Sequence, residues 1–211
     1  MRNLFCALIC VLTISACSNS ASQKTLPILG NREADTKTVD GKTVTDTIYQ
    51  TIPKFKFIDQ YGDSVSNKTL DGNIYVADFF FSTCPSICPI MHRNMLPVYK
   101  EFKNVGDFKI ISHTIDPKHD SVAVLKKYAD NLGVTGKNWL FLQGQKEDTY
   151  KLAKSYMVEA REGNVHDGYF ILIDKQKRIR GSYLGTDPKE VTKMIADIKT
   201  LQAEPDQTIV Q

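Results

Sequence analysis

The stretch that most restricts how this chain can fold is residues 79–102, FFFSTCPSICPIMHRNMLPVYKEF. It opens on the end of an apolar run, residues 74–81, which reads as a buried strand. It closes on an amphipathic helix, with Met91, Met95, Val98 and Phe102 forming one stripe at helical spacing. Pro97 should bend that helix slightly. Between strand and helix lie Cys84 and Cys88, each followed by a proline. A residue before proline is pushed away from helical geometry, so both cysteines are expected in extended or turn conformation. Pro89 suits the first helical position, which makes Cys88 the expected cap residue. A thiol there faces unpaired backbone N–H groups and the positive end of the helix dipole, and both favour thiolate over thiol.

The N-terminus bounds the compartment. Residues 1–3 make a short positive start, and residues 4–16 are mostly apolar. That is too short for a membrane span, which needs about 20 residues, and fits a secretory signal. The tail Ile14-Ser15-Ala16-Cys17 resembles a bacterial lipoprotein processing site. The resemblance implies that residues 1–16 are removed and that Cys17 carries a lipid. The chain is then expected in the bacterial cell envelope, lipid-anchored, with its domain facing the periplasm or extracytoplasmic side. Cys6 and Cys10 leave with the signal, so the mature chain holds two free thiols, Cys84 and Cys88. Outside the cytosol such a pair oxidises unless it is bound to metal or kept reduced by a thiol reductase. The formal charge of +3, with Lys and Arg interspersed among Asp and Glu, argues against nucleic-acid binding.

Residues 18 to about 50 are rich in Ser, Thr, Asp, Asn and Lys with little apolar periodicity, so 17–47 reads as a lipidated cysteine and flexible tether. A short strand is possible over 47–52. The folded domain is expected over 48–205, with 206–211 a frayed tail. Residues 55–58 and 64–66 read as an N-terminal hairpin turning at Tyr61-Gly62-Asp63. Further strands are expected at 108–115, 139–142, 169–174 and 177–183, with helices at 121–132, 147–156 and from Asp187-Pro188 to about 203. Asp120 is the expected cap of the second helix. The order β-α-β-α-β-α-β-β-α gives an α/β fold, a central sheet with helices on both faces. A cysteine pair at the end of the first core strand matches the thioredoxin-like arrangement, with the site at the C-terminal ends of the strands.

Three residues separate the two cysteines, one more than the spacing of thioredoxin-type redox motifs. The longer loop can close a disulfide or wrap both sulfurs around one metal. Two thiolates are soft ligands that select Cu(I), with zinc the nearest competitor, and a third ligand is wanted. Of the four histidines, His92 is expected to face solvent, His113 to be a buried or half-buried strand residue, and His119 to lie in a polar loop. His166 enters the strand that lies across from the cysteine loop in a thioredoxin-like sheet, so topology favours it as third ligand. Met91 and Met95 read as core packing rather than copper ligands.

Thr83-Cys84-Pro85-Ser86-Ile87-Cys88-Pro89, the segment Thr114-Ile115-Asp116-Pro117-Lys118-His119-Asp120, and His166 ahead of a hairpin together resemble the Sco/SenC family. The resemblance covers about residues 51–203. It implies a thioredoxin-like, membrane-tethered protein that binds copper through Cys84, Cys88 and His166 and helps assemble the binuclear copper centre of cytochrome c oxidase. The implied partner is that oxidase subunit or another copper acceptor. Asp116 and Asp120 match the family's Asp-Pro loop and are read as structural. Asp167 departs from the hydroxyl or small residue expected after the histidine, which bears on contacts behind the ligand. The same pair can also cycle through a disulfide, so the alternative is a thiol–disulfide oxidoreductase that reduces a partner's cysteines. Oxidoreductases of this fold carry a proline before the hairpin strand, and Val165-His166-Asp167-Gly168 has none. A structural disulfide is a third, blander reading, and a thiol peroxidase lacks a recognisable cationic pocket.

Overall fold

A computed structural model describes residues 25–161 and 165–205, with backbone only at 160, 161, 165 and 166. The signal segment and Cys17 lie outside the described residues, as does the tail 206–211. Among the described residues no helix is long and apolar enough to cross a membrane.

The strands in chain order are β1 (Arg32–Val39), β2 (Lys42–Tyr49), β3 (Lys56–Ile58), β4 (Ser64–Ser66), β5 (Ile74–Phe80), β6 (Phe108–Thr114), β7 (Trp139–Leu142), β8 (Ala160–Arg161), β9 (Val165–His166), β10 (Tyr169–Ile173) and β11 (Ile179–Leu184). The helices are α1 (Ile87–Phe102), α2 (Val122–Asn131), α3 (Lys146–Ser155) and α4 (Pro188–Ala203). Five strands form the central sheet in the order β11-β10-β5-β6-β7. β5, β6 and β7 run parallel, and β10 and β11 return antiparallel to β5. All seven residues of β5 are buried, as a strand covered on both faces requires.

Alternation along β5 divides the core. Asp78 and Phe80 face α1 and α2, where they meet His92 and Tyr128. Tyr75 and Phe79 face the other way, against Tyr156 at the end of α3. α4 joins the first layer through Tyr183, whose hydroxyl donates to Asp197 at 2.9 Å. The β3–β4 hairpin joins the second through Phe57, edge-on to His113. Helices therefore cover both faces, and α4 starts where the sequence places it: the Asp187 side chain accepts from the Lys189 amide, with Pro188 at the first position.

The stretch read as a tether contains a feature that reading lacks. β1 and β2 pair over their full length as an antiparallel hairpin. Asp40 and Gly41, with φ of 50° and 74°, supply the two left-handed residues of a tight hairpin turn. Both faces of this ribbon are exposed, with only Asp35 and Tyr49 half-buried. Threonines and charges occupy both faces, so no apolar period marks it in the sequence. The chain before it is also fastened. Leu29 bridges Ile179 at the start of β11, the Leu26 amide donates to Glu204 at 2.6 Å, and the Leu26 carbonyl accepts from Arg180 at 2.6 Å.

His113 is wholly buried, stacked on Phe79 with ring centroids 5.1 Å apart, and neither ring nitrogen has a hydrogen-bond partner. Burial pushes its pKa from 6.5 down to about 3. The unfolded chain therefore takes up a proton below pH 6.5 that the folded chain refuses, and stability falls as pH drops from 6.5 towards 3. This term should cost about 2 kcal/mol at pH 5. Urea denaturation at pH 7 and pH 5 should show that loss, and His113→Phe should shrink it; an unchanged difference in the variant would assign the slope to other groups.

Candidate dithiol site

The site is built at the C-terminal ends of β5 and β6. Beyond β5 the chain turns through Ser82 and Thr83, and the Cys84 amide donates to the Phe81 carbonyl at 3.1 Å. The turn is held from below by Asp120, which is wholly buried. Its carboxylate accepts from the Ser82 amide at 3.0 Å and makes short hydrogen bonds from the Ser82 and Thr114 hydroxyls. Asp120 is thus not the cap of α2. That role falls to Ser121, whose hydroxyl accepts from the Val124 amide. The end of β6 is tied in as well, since the Ile115 amide donates to the Phe80 carbonyl at 2.8 Å.

The helix begins two residues earlier than the proline pattern suggests. Ser86 is the cap residue of α1 and makes no side-chain capping bond, so Cys88 lies inside the first turn rather than at the cap. Pro89 is accommodated there because first-turn amides have no intrahelical acceptor to lose. The bias that proline imposes on the preceding residue is overcome by burying the Cys88 side chain, 1% exposed against 7% for Cys84.

This shift exchanges the expected roles of the two thiols. Burial raises the Cys84 pKa, but the Cys88 thiol and the amides of Cys88 and Ser86 donate to its sulfur and bring it below the ordinary value overall. Cys84 Sγ also lies 3.9 Å from the Ser86 hydroxyl. For Cys88 burial dominates, and the hydrogen bond it gives Cys84 adds to it, so its pKa is pushed well up. Cys84 is the more acidic thiol, over the helix N-terminus, and Cys88 the protonated donor beneath it.

Behind Cys88 lies a buried polar chain. His92, expected to face solvent, is wholly buried because it points at the sheet, its ring against Phe80, Trp139 and Phe141, with Tyr128 of α2 closing over it. Its Nδ1 is 2.8 Å from the Tyr128 hydroxyl and its Nε2 is 3.5 Å from Asp78 Oδ1. Asp78 accepts from the Ser112 hydroxyl at 3.0 Å, and Ser112 accepts from the Trp139 indole at 2.9 Å. Burial, then the neighbouring Cys88 and Asp78, raise the Tyr128 pKa, which keeps its phenol protonated. Donation from Tyr128 to Nδ1 leaves Nε2–H pointing at Asp78, an assignment that satisfies both nitrogens. His113 and His119 stand as read: one buried in the opposite layer, the other in an exposed loop.

The segment after β9 crosses the first turn of α1. Gly168 has φ +69°, and a Cβ there would stand 3.3 Å from Ile87 Cδ1 and 3.6 Å from Met91 Sδ. Its carbonyl accepts from the Gly185 amide at 2.8 Å, and the Gly185 carbonyl accepts from Asn94 at 2.9 Å. Asp167, which departs from the expected small residue, accepts from the Glu159 amide at 3.1 Å and so braces the β8–β9 pair. His166 is in β9, two residues before Gly168; its side chain lies outside the described residues. Met91 and Met95 are wholly buried, as core residues. Among the described residues no set of three His, Cys, Asp or Glu side chains closes on one point, so the two thiols have no third donor there.

A dithiol at a strand-to-helix junction, over a sheet with a parallel core and an antiparallel return hairpin, defines a thioredoxin-like thiol protein. The SCO1/SenC family profile matches residues 44–203, and the chain belongs to that family. It is 32% identical over 168 residues to the SCO1 protein homolog of Bacillus subtilis, covering 76% of this chain and 87% of that one. Its structure is similar to that of BsSco, described as having a disulfide switch and as a member of the Sco family of cytochrome c oxidase assembly proteins. That likeness has a TM-score of 0.66 and 29% identity, over 75% of this chain and 98% of that one. Arabidopsis thaliana ScoI, solved with copper bound, shares the fold at a TM-score of 0.59 and 22% identity, over 70% and 97% of the two chains.

Two measurements check the site. In the reduced protein at neutral pH, iodoacetamide should alkylate Cys84 at least about tenfold faster than Cys88, read by peptide mass spectrometry; equal rates would remove the assigned asymmetry. Asp120→Ala should cost roughly 2–4 kcal/mol of stability, because it strands buried donors, and should narrow the difference in alkylation rate by loosening the loop.

Proposed function

We propose that this chain is a membrane-tethered, extracytoplasmic copper carrier that helps assemble the binuclear copper centre of cytochrome c oxidase, holding its cargo with Cys84, Cys88 and His166. The observation that carries this reading is the pairing of an acidic thiol, Cys84, with a second thiol, Cys88, in a loop and helix start against which Gly168, two residues after His166, is packed. Two soft sulfurs and an imidazole suit Cu(I) and exceed what a structural disulfide needs. Family membership and the copper-bound Arabidopsis relative point the same way. Copper would leave by ligand exchange with cysteines of the acceptor, and a thiol reductase would keep the pair reduced. The lipid on Cys17 would hold the domain at the membrane.

A second reading has its own observation. A low-pKa Cys84 above a buried, protonated Cys88 is also the division of labour of a thiol–disulfide oxidoreductase, in which one sulfur attacks a partner and the other resolves the mixed disulfide. Anaerobic Cu(I) titration against a competing chelator separates the two. Tight one-to-one binding should be lost in Cys84→Ser and weakened about 10–100-fold in His166→Ala, while His166→Ala largely keeps its rate of thiol exchange. Full copper retention by Cys84→Ser would sink the copper site. Absent copper binding with a readily exchanged Cys84–Cys88 disulfide would establish the oxidoreductase instead.

A further inference from the structure

The layer that carries α3 and the β3–β4 hairpin holds two open clefts remote from the thiols. One, of about 580 Å³, runs between residues 53–57 and α3; the other, of about 610 Å³, runs between residues 51–55 and the 66–71 turn, closed by Lys177. They share Pro53, Lys54 and Phe55, so they form one surface with a half-buried aromatic ring at its centre. Lys54, Lys56, Lys68 and Lys151 line it, all exposed. None has an ion-pair partner among the described residues. The acids lining the clefts are Asp148 and Asp71, and Asp71 already neutralises Lys177. The surface therefore presents excess positive charge around an aromatic ring.

Its place in the fold gives that charge a direction. The Ile52 amide donates to the Lys177 carbonyl at 2.9 Å, and Leu29 bridges Ile179, so one end of the cleft and the N-terminal strap flank the same turn. That turn joins β10 to β11 at the end of the sheet where β5 begins, since Ile173 pairs with Tyr75. The cysteines lie past the other end of β5. Eight residues, 18–25, separate Cys17 from the clamped Leu26, a reach of at most roughly 30 Å. A bilayer carrying a lipid on Cys17 is thereby held within reach of the lysines.

We propose that the lysine-lined surface around Phe55 is a docking face for anionic phospholipid headgroups of the membrane to which the chain is tethered. Lysines near such a surface are attracted by its negative potential, and an aromatic ring among them suits the interface. Docking by this face lays the α3 side of the sheet on the bilayer and leaves the opposite side, where α1 packs, towards the aqueous space. The inference rests on the lipid anchor proposed above, and its test does not.

The chain from residue 17 onward, carrying Cys17→Ser so that no lipid is attached, is mixed with vesicles of phosphatidylcholine alone or with added phosphatidylglycerol. Binding is expected only to the vesicles with phosphatidylglycerol, and it weakens as salt is raised. Lys54→Glu with Lys68→Glu should reduce the partition coefficient at least about 25-fold. Lys103→Glu with Lys127→Glu, on the α1 and α2 side, should leave it unchanged. Thermal melts confirm that both variants are folded. Equal loss in the two double variants, binding to neutral vesicles, no vesicle binding, or capture only by an acidic protein would each overturn the docking face. Intact mass of the wild-type chain extracted from membranes reports the lipid separately, so failure of the anchor and failure of the docking face are distinguishable.

Discussion

Asp120 is the joint on which the cysteine loop hangs. A carboxylate with no exposed surface is costly unless donors surround it, and here the donors come from two different strand ends, Ser82 after β5 and Thr114 at the close of β6. The same residue sits one position before the cap of α2. One side chain therefore fixes the separation of two parallel strands, the start of a helix and the height of the loop that carries Cys84. The backbone of the loop is engaged with its own sulfurs: beside the Cys84 amide's bond to Phe81, the amides of Ser86 and Cys88 turn to the Cys84 sulfur, and the helix cap has no side-chain bond. The absence of a capping side chain has a consequence. It leaves first-turn amides for the Cys84 sulfur, and the loop's geometry becomes the source of the thiol's acidity.

The asymmetry of the two sulfurs follows from that arrangement and serves either chemistry. For a copper carrier, the sulfur with the lowered pKa gives up its proton to the arriving metal more readily, while the protonated partner is deprotonated as coordination completes. For thiol exchange, the low-pKa sulfur is the attacking group and the buried one is protected from adventitious oxidation. The choice between the two then rests on the segment opposite. Gly168 lets that segment lie close on Ile87 and Met91, and Asp167 ties it back to Glu159, so the chain that holds His166 is braced on both sides.

Most of this architecture could be read in advance because it is written in apolar runs and turn residues. The strands at 74–81 and 139–142, the Asp187-Pro188 start of α4 and the strand–loop–helix around the cysteines all carry local signals that the packed structure obeys. The failures have physical causes of a different kind. The β1–β2 ribbon packs neither face on a core, so the alternation that reveals strands is missing, and only Asp40-Gly41 marked its turn. The cap of α1 was misplaced by two residues because two prolines argue locally, whereas burial of the Cys88 side chain is decided by the whole core. That shift exchanged the acidities of the thiols. His92 looked solvent-facing beside Arg93 and Asn94, yet it shares the buried side of α1 with Cys88, Met95 and Tyr99 and meets the sheet, where Asp78 and Tyr128 give its nitrogens the partners that a lone sequence position does not show.

The two buried histidines show how unevenly polar groups are distributed across the sheet. His113 is packed among Phe55, Phe57 and Phe79 with both nitrogens unpartnered, so it acts as an aromatic filler that becomes a liability in acid. On the other side, His92, Asp78, Tyr128, Ser112 and Trp139 are joined by hydrogen bonds directly behind Cys88. Buried polar networks of this kind are often no more stabilising than well-packed apolar residues of the same volume. What such a network does provide is orientation. It spans β5, β6, β7, α1 and α2 and makes the first turns of α1 part of a rigid polar frame rather than an amphipathic helix free to slide on oil. A dithiol that must pass between reduced and bound or oxidised states with little movement is better served by that frame than by the slightly cheaper apolar core it displaces.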